Sequence, residues 1–216
     1  MMTIDIAVVD YGMGNLRSVS KALEHVAPTL SIKVTDQAQD IHNAKKVVFP
    51  GQGAMPDCMR ELASRGLTQA VIDASASKPF LGICIGLQLL FEHSEEGDAN
   101  GLAILPGRVK RFSSADMHDA AGNKLKVPHM GWNQVYQRSA HPMWQDIQDA
   151  ERFYYVHSYY VQPEQKGMIA GESEYPTRFT SVIARDNIFA VQFHPEKSQH
   201  AGLQLLKNFV GWDGTL

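Results

Sequence analysis

The sequence predicts an α/β fold, a parallel sheet with helices on both faces, and three observations carry that prediction. Strand and helix signals alternate through the first half of the 216 residues in a β-α-β-α-β rhythm. The apolar run Phe80-Leu81-Gly82-Ile83 that ends this series reads as a short buried strand. No internal repeat, low-complexity tract or linker interrupts the chain, so residues 1–216 are expected to form a single domain with a substantial core.

The elements follow in order. "IDIAVVD" is a strand, and "NLRSVSKALEHVA" is a helix with Asn15 as candidate N-cap and Leu16, Val19, Leu23 and Val26 on one face. "SIKVT" is a second strand, "DQAQDIHNA" a turn or two of helix, and "KVVF" a third strand. Two helical stretches separated by Gly66 lead to "PFLGIC"; Leu87, Leu90 and Phe91 then fall at helical spacing. The second half is richer in strands: "WNQVY", "RFYYVHSYYV", "GMIAGESEY", "FTSVIARD" and "IFAVQF". A last amphipathic helix runs through Leu203, Leu206 and Val210. In such sheets, sites form beyond the carboxyl ends of the strands.

Composition narrows the function classes. A net charge of −3 argues against a general polyanion binder, and the densest basic stretch, "GRVKRF", is short enough to be a solvated strand face. The start, "MMTIDIAVVD", lacks a basic n-region and carries Asp5, unlike a signal peptide. No apolar run approaches the ~20 residues of a membrane helix. Two cysteines make neither a disulfide framework nor a cysteine-based zinc site, and the nine histidines include no H-E-x-x-H. A soluble cytoplasmic protein with no metal site and no cofactor is expected, binding neither nucleic acid nor membrane.

Three motifs carry chemistry. Gly82-Ile83-Cys84-Ile85-Gly86 has the G-x-nucleophile-x-G form of a nucleophile elbow, with sulfur in place of oxygen. A sharp strand-to-helix turn forces unusual backbone angles on its central residue, and flanking glycines relieve the crowding. The following helix start offers N–H groups and a positive dipole end, with the Ile85 N–H as the natural oxyanion donor. The competing reading of Cys84 is a small buried side chain packed at a turn.

"VQFHPEKS" supplies a base. His194 leaves an apolar strand, Pro195 biases it to extended geometry, and Glu196, two residues on, points the same way. A carboxylate there would set the tautomer of His194 and stabilise its imidazolium, as the third member of a triad does. Read alone, His-Pro-Glu could equally be a capped surface loop. "FPGQGAMPD" is a glycine loop after "KVVF", an ordinary βα turn or a donor loop whose Gly51, Gln52 and Gly53 N–H groups complete an oxyanion hole with Ile85. "DYGMGN" holds a GxG but has Arg17 where the third glycine of a dinucleotide fingerprint would fall, and is rejected as one.

The ordered set "PGQGAM", "GICIGLQLLFE" and "VQFHPEKS" resembles the class I (triad-type) glutamine amidotransferases. The resemblance implies a flavodoxin-like, mostly parallel central sheet flanked by helices, with an added antiparallel portion. It also implies a Cys84–His194–Glu196 triad that hydrolyses the side-chain amide of glutamine. By the same resemblance Gln88, one turn after Cys84, holds the amino-acid end of the substrate. Glu96 is a candidate for its ammonium, and the backbone of Ser158 and Tyr159 completes the pocket. "EHSEEGD" around Glu96 also reads as a solvated acidic helix end. Gln52 and Met55 depart from the valine and phenylalanine of many relatives, and Ile85 from the usual leucine.

"VDYGMGNLRSV", "VPHMGWNQV" and "YYVHSYYV" are narrower signatures, similar to the glutaminase subunits of imidazole glycerol phosphate synthases. These imply a heterodimer with a (β/α)₈ cyclase subunit that consumes the ammonia, with Asn15, Trp132 and Lys197 near the docking face. Trp132 has core packing as its alternative. They also imply that the 51–53 loop is poorly formed until cyclase and its ligand bind. Rival expectations are the glutaminase subunit of a pyridoxal phosphate, anthranilate or aminodeoxychorismate synthase, a cysteine peptidase, and a non-catalytic binding subunit.

Overall fold

The computed structural model describes residues 3–113, 117–118, 122 and 124–215. The outer bounds expected for the domain, Met1 and Leu216, lie outside them. Strands β1 (Ile6–Val9), β2 (Ile32–Thr35), β3 (Lys46–Phe49), β4 (Phe80–Ile83) and β13 (Ile188–Val191) pair in parallel in the order β2-β1-β3-β4-β13. These are the strands the alternating pattern predicts, with β13 joining from the far end of the chain.

Residue alternation shows why both faces are covered. Ile6, Val8, Val48, Leu81, Ile83, Phe189 and Val191 enter one core, together with Val19 and Leu23 of α1 (Leu16–Val26) and Leu205, Leu206 and Phe209 of α6 (Gln199–Gly211). Val9, Val47, Phe49, Phe80 and Ala190 enter the other, with Ile41 of α2 (Ala38–Asn43), Cys58 and Leu62 of α3 (Met55–Ser64) and Val71 of α4 (Thr68–Ser77). Burying side chains on both faces is the main stabilising term for such a sheet.

Beyond β13 the sheet turns antiparallel, with one parallel pair near its far edge. Strand β12 (Arg178–Arg185) pairs with β13, β10 (Tyr159–Pro163) with β12 and β7 (Leu105–Arg111), and the edge is closed by β5 (Phe91–Ser94) and β6 (Ala99–Asn100). A branch leaves β12 through β11 (Ile169–Glu174) to the hairpin of β8 (His129–Gln137) and β9 (Glu151–His157). Arg108 and Arg111 of β7 are exposed, so "GRVKRF" does have a solvated face.

Three local expectations change. The helix after Cys84, α5 (Ile85–Gln88), lasts only one turn, because residues 102–105 donate to the carbonyls of Leu89, Leu90 and Phe91 and draw them out of the helix. Asn15 sits at the N-cap of α1 but makes no capping bond with its side chain. "RFYYVHSYYV" is two strands, broken at Ser158, whose carbonyl accepts from the Phe112 N–H. The break lets one half pair with β8 and the other with β7 and β12. Among the described residues no helix is long and apolar enough to cross a membrane.

Candidate active site

Three adjacent parallel strands deliver the three motifs to one place. Phe49 of β3 pairs with Gly82 of β4, and Ile83 of β4 pairs with Val191 of β13. The loop after β3, Cys84 after β4 and the His194 segment after β13 therefore leave the same edge of the sheet side by side. The Cys84 N–H donates to the Val191 carbonyl at 2.8 Å, locking that alignment.

Cys84 has φ +55° and ψ −111°, a conformation that side chains rarely adopt. The turn demands glycine on either side: a Cβ on Gly82 would lie 3.0 Å from the Ala190 Cβ, and one on Gly86 only 1.9 Å from the Phe49 carbonyl oxygen. Ile85 opens the single turn of α5, so its N–H is one of those a helix start leaves without an intrahelical acceptor. Gly51 packs against it, a Cβ there meeting Ile85 Cγ2 at 2.4 Å and Tyr11 Oη at 1.8 Å. Beneath the loop, Cys58 Sγ donates to the Gln52 carbonyl at 3.5 Å. Burial pushes the Cys58 thiol up to about 11.

His194 Nδ1 and Glu196 Oε1 are 2.9 Å apart, and their side chains are 2% and 1% exposed. Burial alone would depress the imidazole, but the Cys84 sulfur and then the Glu196 carboxylate outweigh it and raise His194 to about 10. His194 Nε2 has no hydrogen-bond partner of full geometry, although Cys84 lies near enough to act on it electrostatically. The backbone is clamped as well: the Ser198 hydroxyl donates to the His194 carbonyl (2.7 Å) and accepts from the Tyr154 N–H (2.9 Å). Ser198 and Gln192 escaped the sequence reading; the signal for Gln192 was a lone polar residue in the apolar run "IFAVQF".

A cavity of about 450 Å³ opens over Cys84. Gln52, Gly53, Ile85 and Gln88 line it, as do Glu96, Ser158, Tyr159 and Lys197, with Pro128, Val156 and His157 completing the wall. Glu96 follows a strand rather than a helix and is half-buried. Burial raises its carboxyl, while the Met55 N–H donates to it at 2.8 Å. Lys197 thus lines the cavity itself. Trp132 is 40% exposed, and its edge meets Tyr154; it is not in the core. Asn15 is half-buried before α1, which packs on the 3₁₀ turn Pro195–Lys197.

The Tyr159 carbonyl organises the wall. It accepts from Gln88 Nε2 at 3.1 Å and from His157 Nδ1 at 2.7 Å. Because a carbonyl only accepts, His157 must donate from Nδ1, so its Nε2 accepts from His129 Nδ1 at 2.9 Å. His129 Nε2 in turn accepts from Asn133 Nδ2 at 3.3 Å. Both rings stay neutral: burial lowers His157 to about 3 and His129 to about 4. Among the described residues no group of three or more His, Cys, Asp or Glu is placed to hold a metal.

The model of the family "Glutamine amidotransferase class-I" matches residues 7–211. The imidazole glycerol phosphate synthase subunit HisH of Thiobacillus denitrificans is 65% identical over 98% of this chain and 93% of its own length. That of Aromatoleum aromaticum is 64% identical over 96% and 98%. Among solved structures, a glutamine amidotransferase superposes with TM-score 0.70 at 15% identity, covering 95% of this chain and 99% of its own. One from Thermotoga maritima gives 0.60 at 15%, covering 91% and 77%. The fold is shared with both, and by family model and relatives together this chain belongs to the class-I glutamine amidotransferases.

Proposed function

We propose that the chain is the glutaminase subunit of an imidazole glycerol phosphate synthase, acting as one domain in the cytoplasm. The observation that carries the reaction is the buried His194–Glu196 pair acting on Cys84, which itself lines a cavity. The choice among glutaminases rests on the names of the relatives.

In this reading glutamine lies with its carboxamide over Cys84. Sulfur attacks the amide carbon, and the oxyanion is met by the Ile85 N–H and by an N–H of the 51–53 loop. His194, held as imidazolium by Cys84 and Glu196, gives its proton to the departing nitrogen; ammonia leaves and a thioester remains. The neutral imidazole then takes a proton from water, which attacks the thioester and releases glutamate. Positioned proton transfer of this kind contributes ~10²–10⁴-fold. Gln88 holds the amino-acid end of the substrate and Glu96 meets its ammonium, beside the backbone of Ser158 and Tyr159.

The partner is the (β/α)₈ cyclase subunit, docked over Asn15, Trp132 and Lys197. Ammonia released into bulk water would be protonated and lose its nucleophilicity, so transfer through the interface keeps it reactive. No cofactor enters the scheme. The test is glutamate release by this chain alone, with cyclase, and with cyclase plus a substrate analogue. The expected result is a sharp rise in the last case. Equal rates in all three would contradict the coupled assignment.

A further inference from the structure

Gln192 is completely buried at the exit of β13, next to the reacting sulfur. Its orientation follows from the Tyr159 carbonyl. That carbonyl requires an N–H from Gln88, so Gln88 directs Nε2 inward. The other Gln88 Nε2 proton goes to Gln192 Oε1 at 3.0 Å. Gln192 therefore turns its oxygen to Gln88 and its Nε2 to Cys84 Sγ, at 3.9 Å. The amide has no freedom to flip, since reversing it would set nitrogen against nitrogen.

We infer that Gln192 is a positioning residue: its amide N–H holds the Cys84 sulfur as a hydrogen-bond acceptor while its oxygen fixes Gln88. The inference rests on Cys84 being the nucleophile. An N–H directed at sulfur favours the sulfur that carries charge over the protonated thiol, and charge-assisted bonds are the stronger kind. The same amide consumes the second Gln88 N–H, leaving the Gln88 carbonyl oxygen as the uncommitted end at the cavity wall. One buried residue thus sets both the attacking atom and the polarity that the pocket offers a ligand: an acceptor, matched to a donor such as an ammonium group.

The titratable groups coupled to Cys84 are His194, Tyr11 and Cys58. A change at Gln192 leaves all three in place, so any shift in the titration of Cys84 reports the lost N–H. The experiment is the pH dependence of iodoacetamide alkylation, followed at the Cys84 peptide to exclude Cys58, in wild type and in Gln192→Met. Methionine keeps length and apolar volume but has no N–H. The midpoint is expected to rise by about one pH unit, and glutamine turnover with cyclase to fall roughly tenfold in kcat, the equivalent of one unit. A purely structural role would lower the melting temperature and leave the midpoint where it is; that result overturns the inference.

Should Gln192→Met not fold, wild type carrying ¹⁵N in its glutamine side chains decides the question. One amide resonance is expected to follow the Cys84 titration and to stop doing so in Cys84→Ala; no such resonance overturns the inference. Cys84→Ala also separates the two claims. If it still hydrolyses glutamine, the nucleophile assignment fails. If it is inactive while Gln192→Met titrates like wild type, only the role of Gln192 fails.

Discussion

Gly86 lies so close to the carbonyl of Phe49 that a Cβ on it would stand 1.9 Å from the oxygen. The clash is with backbone, on a strand buried on both faces, so no side-chain rotation relieves it. Gly86→Ala is expected to cost about 1–3 kcal/mol, as overpacking does, and to displace Cys84 from its turn. Urea denaturation checks this: a loss under about 0.5 kcal/mol, within the range of neutral surface changes, would mean that strand and elbow can separate freely.

His194 sets a pH limit on the alkaline side. Its folded-state value is raised to about 10 from an ordinary 6.5. Its contribution to stability is therefore complete below pH 6.5 and is lost as pH rises through 10. Cys84→Ala removes the leading cause of that rise, so its stability should fall less steeply across this window. Denaturation midpoints measured between pH 6.5 and 10 test the point; parallel slopes in the two proteins would refute the coupling.

On the acid side three buried neutral histidines act in the opposite sense. Burial lowers His129 and His141 to about 4 and His157 to about 3. As pH falls below 6.5 the unfolded chain takes up protons that the folded chain refuses, so stability declines until the folded-state values are reached. Histidine C2-proton NMR should show three rings that do not titrate between pH 7 and 5. A normal titration of His157 would break the donor chain that ends on Tyr159.

These particulars show what was legible from the sequence and what was not. The parallel strands and the elbow could be read because each depends on local pattern: short apolar runs, a glycine two residues on either side of Cys84, a proline after His194. The one-turn length of α5 could not, because residues 102–105, distant in sequence, take its next carbonyls. Ser198 and Gln192 were missed for a similar reason. Their partners, Tyr154, Gln88 and Cys84, come together only through strand order. The division of "RFYYVHSYYV" at Ser158 likewise depends on which neighbour each half finds.

Trp132 tests the proposed docking face. Its 40% exposure and edge contact with Tyr154, beside Met130 at 62%, make it dispensable to the fold. Trp132→Ala is expected to change stability by less than about 0.5 kcal/mol and to weaken cyclase binding at least tenfold, a loss of about 1.4 kcal/mol. Titration calorimetry against the cyclase measures it. Undiminished affinity would move the interface elsewhere.

The most direct test of the central claim compares two nitrogen sources. In the complex with cyclase, Cys84→Ala is predicted to abolish synthesis from glutamine while synthesis from added ammonium salts proceeds at the wild-type rate. Retained glutamine-dependent synthesis by that variant would contradict the account.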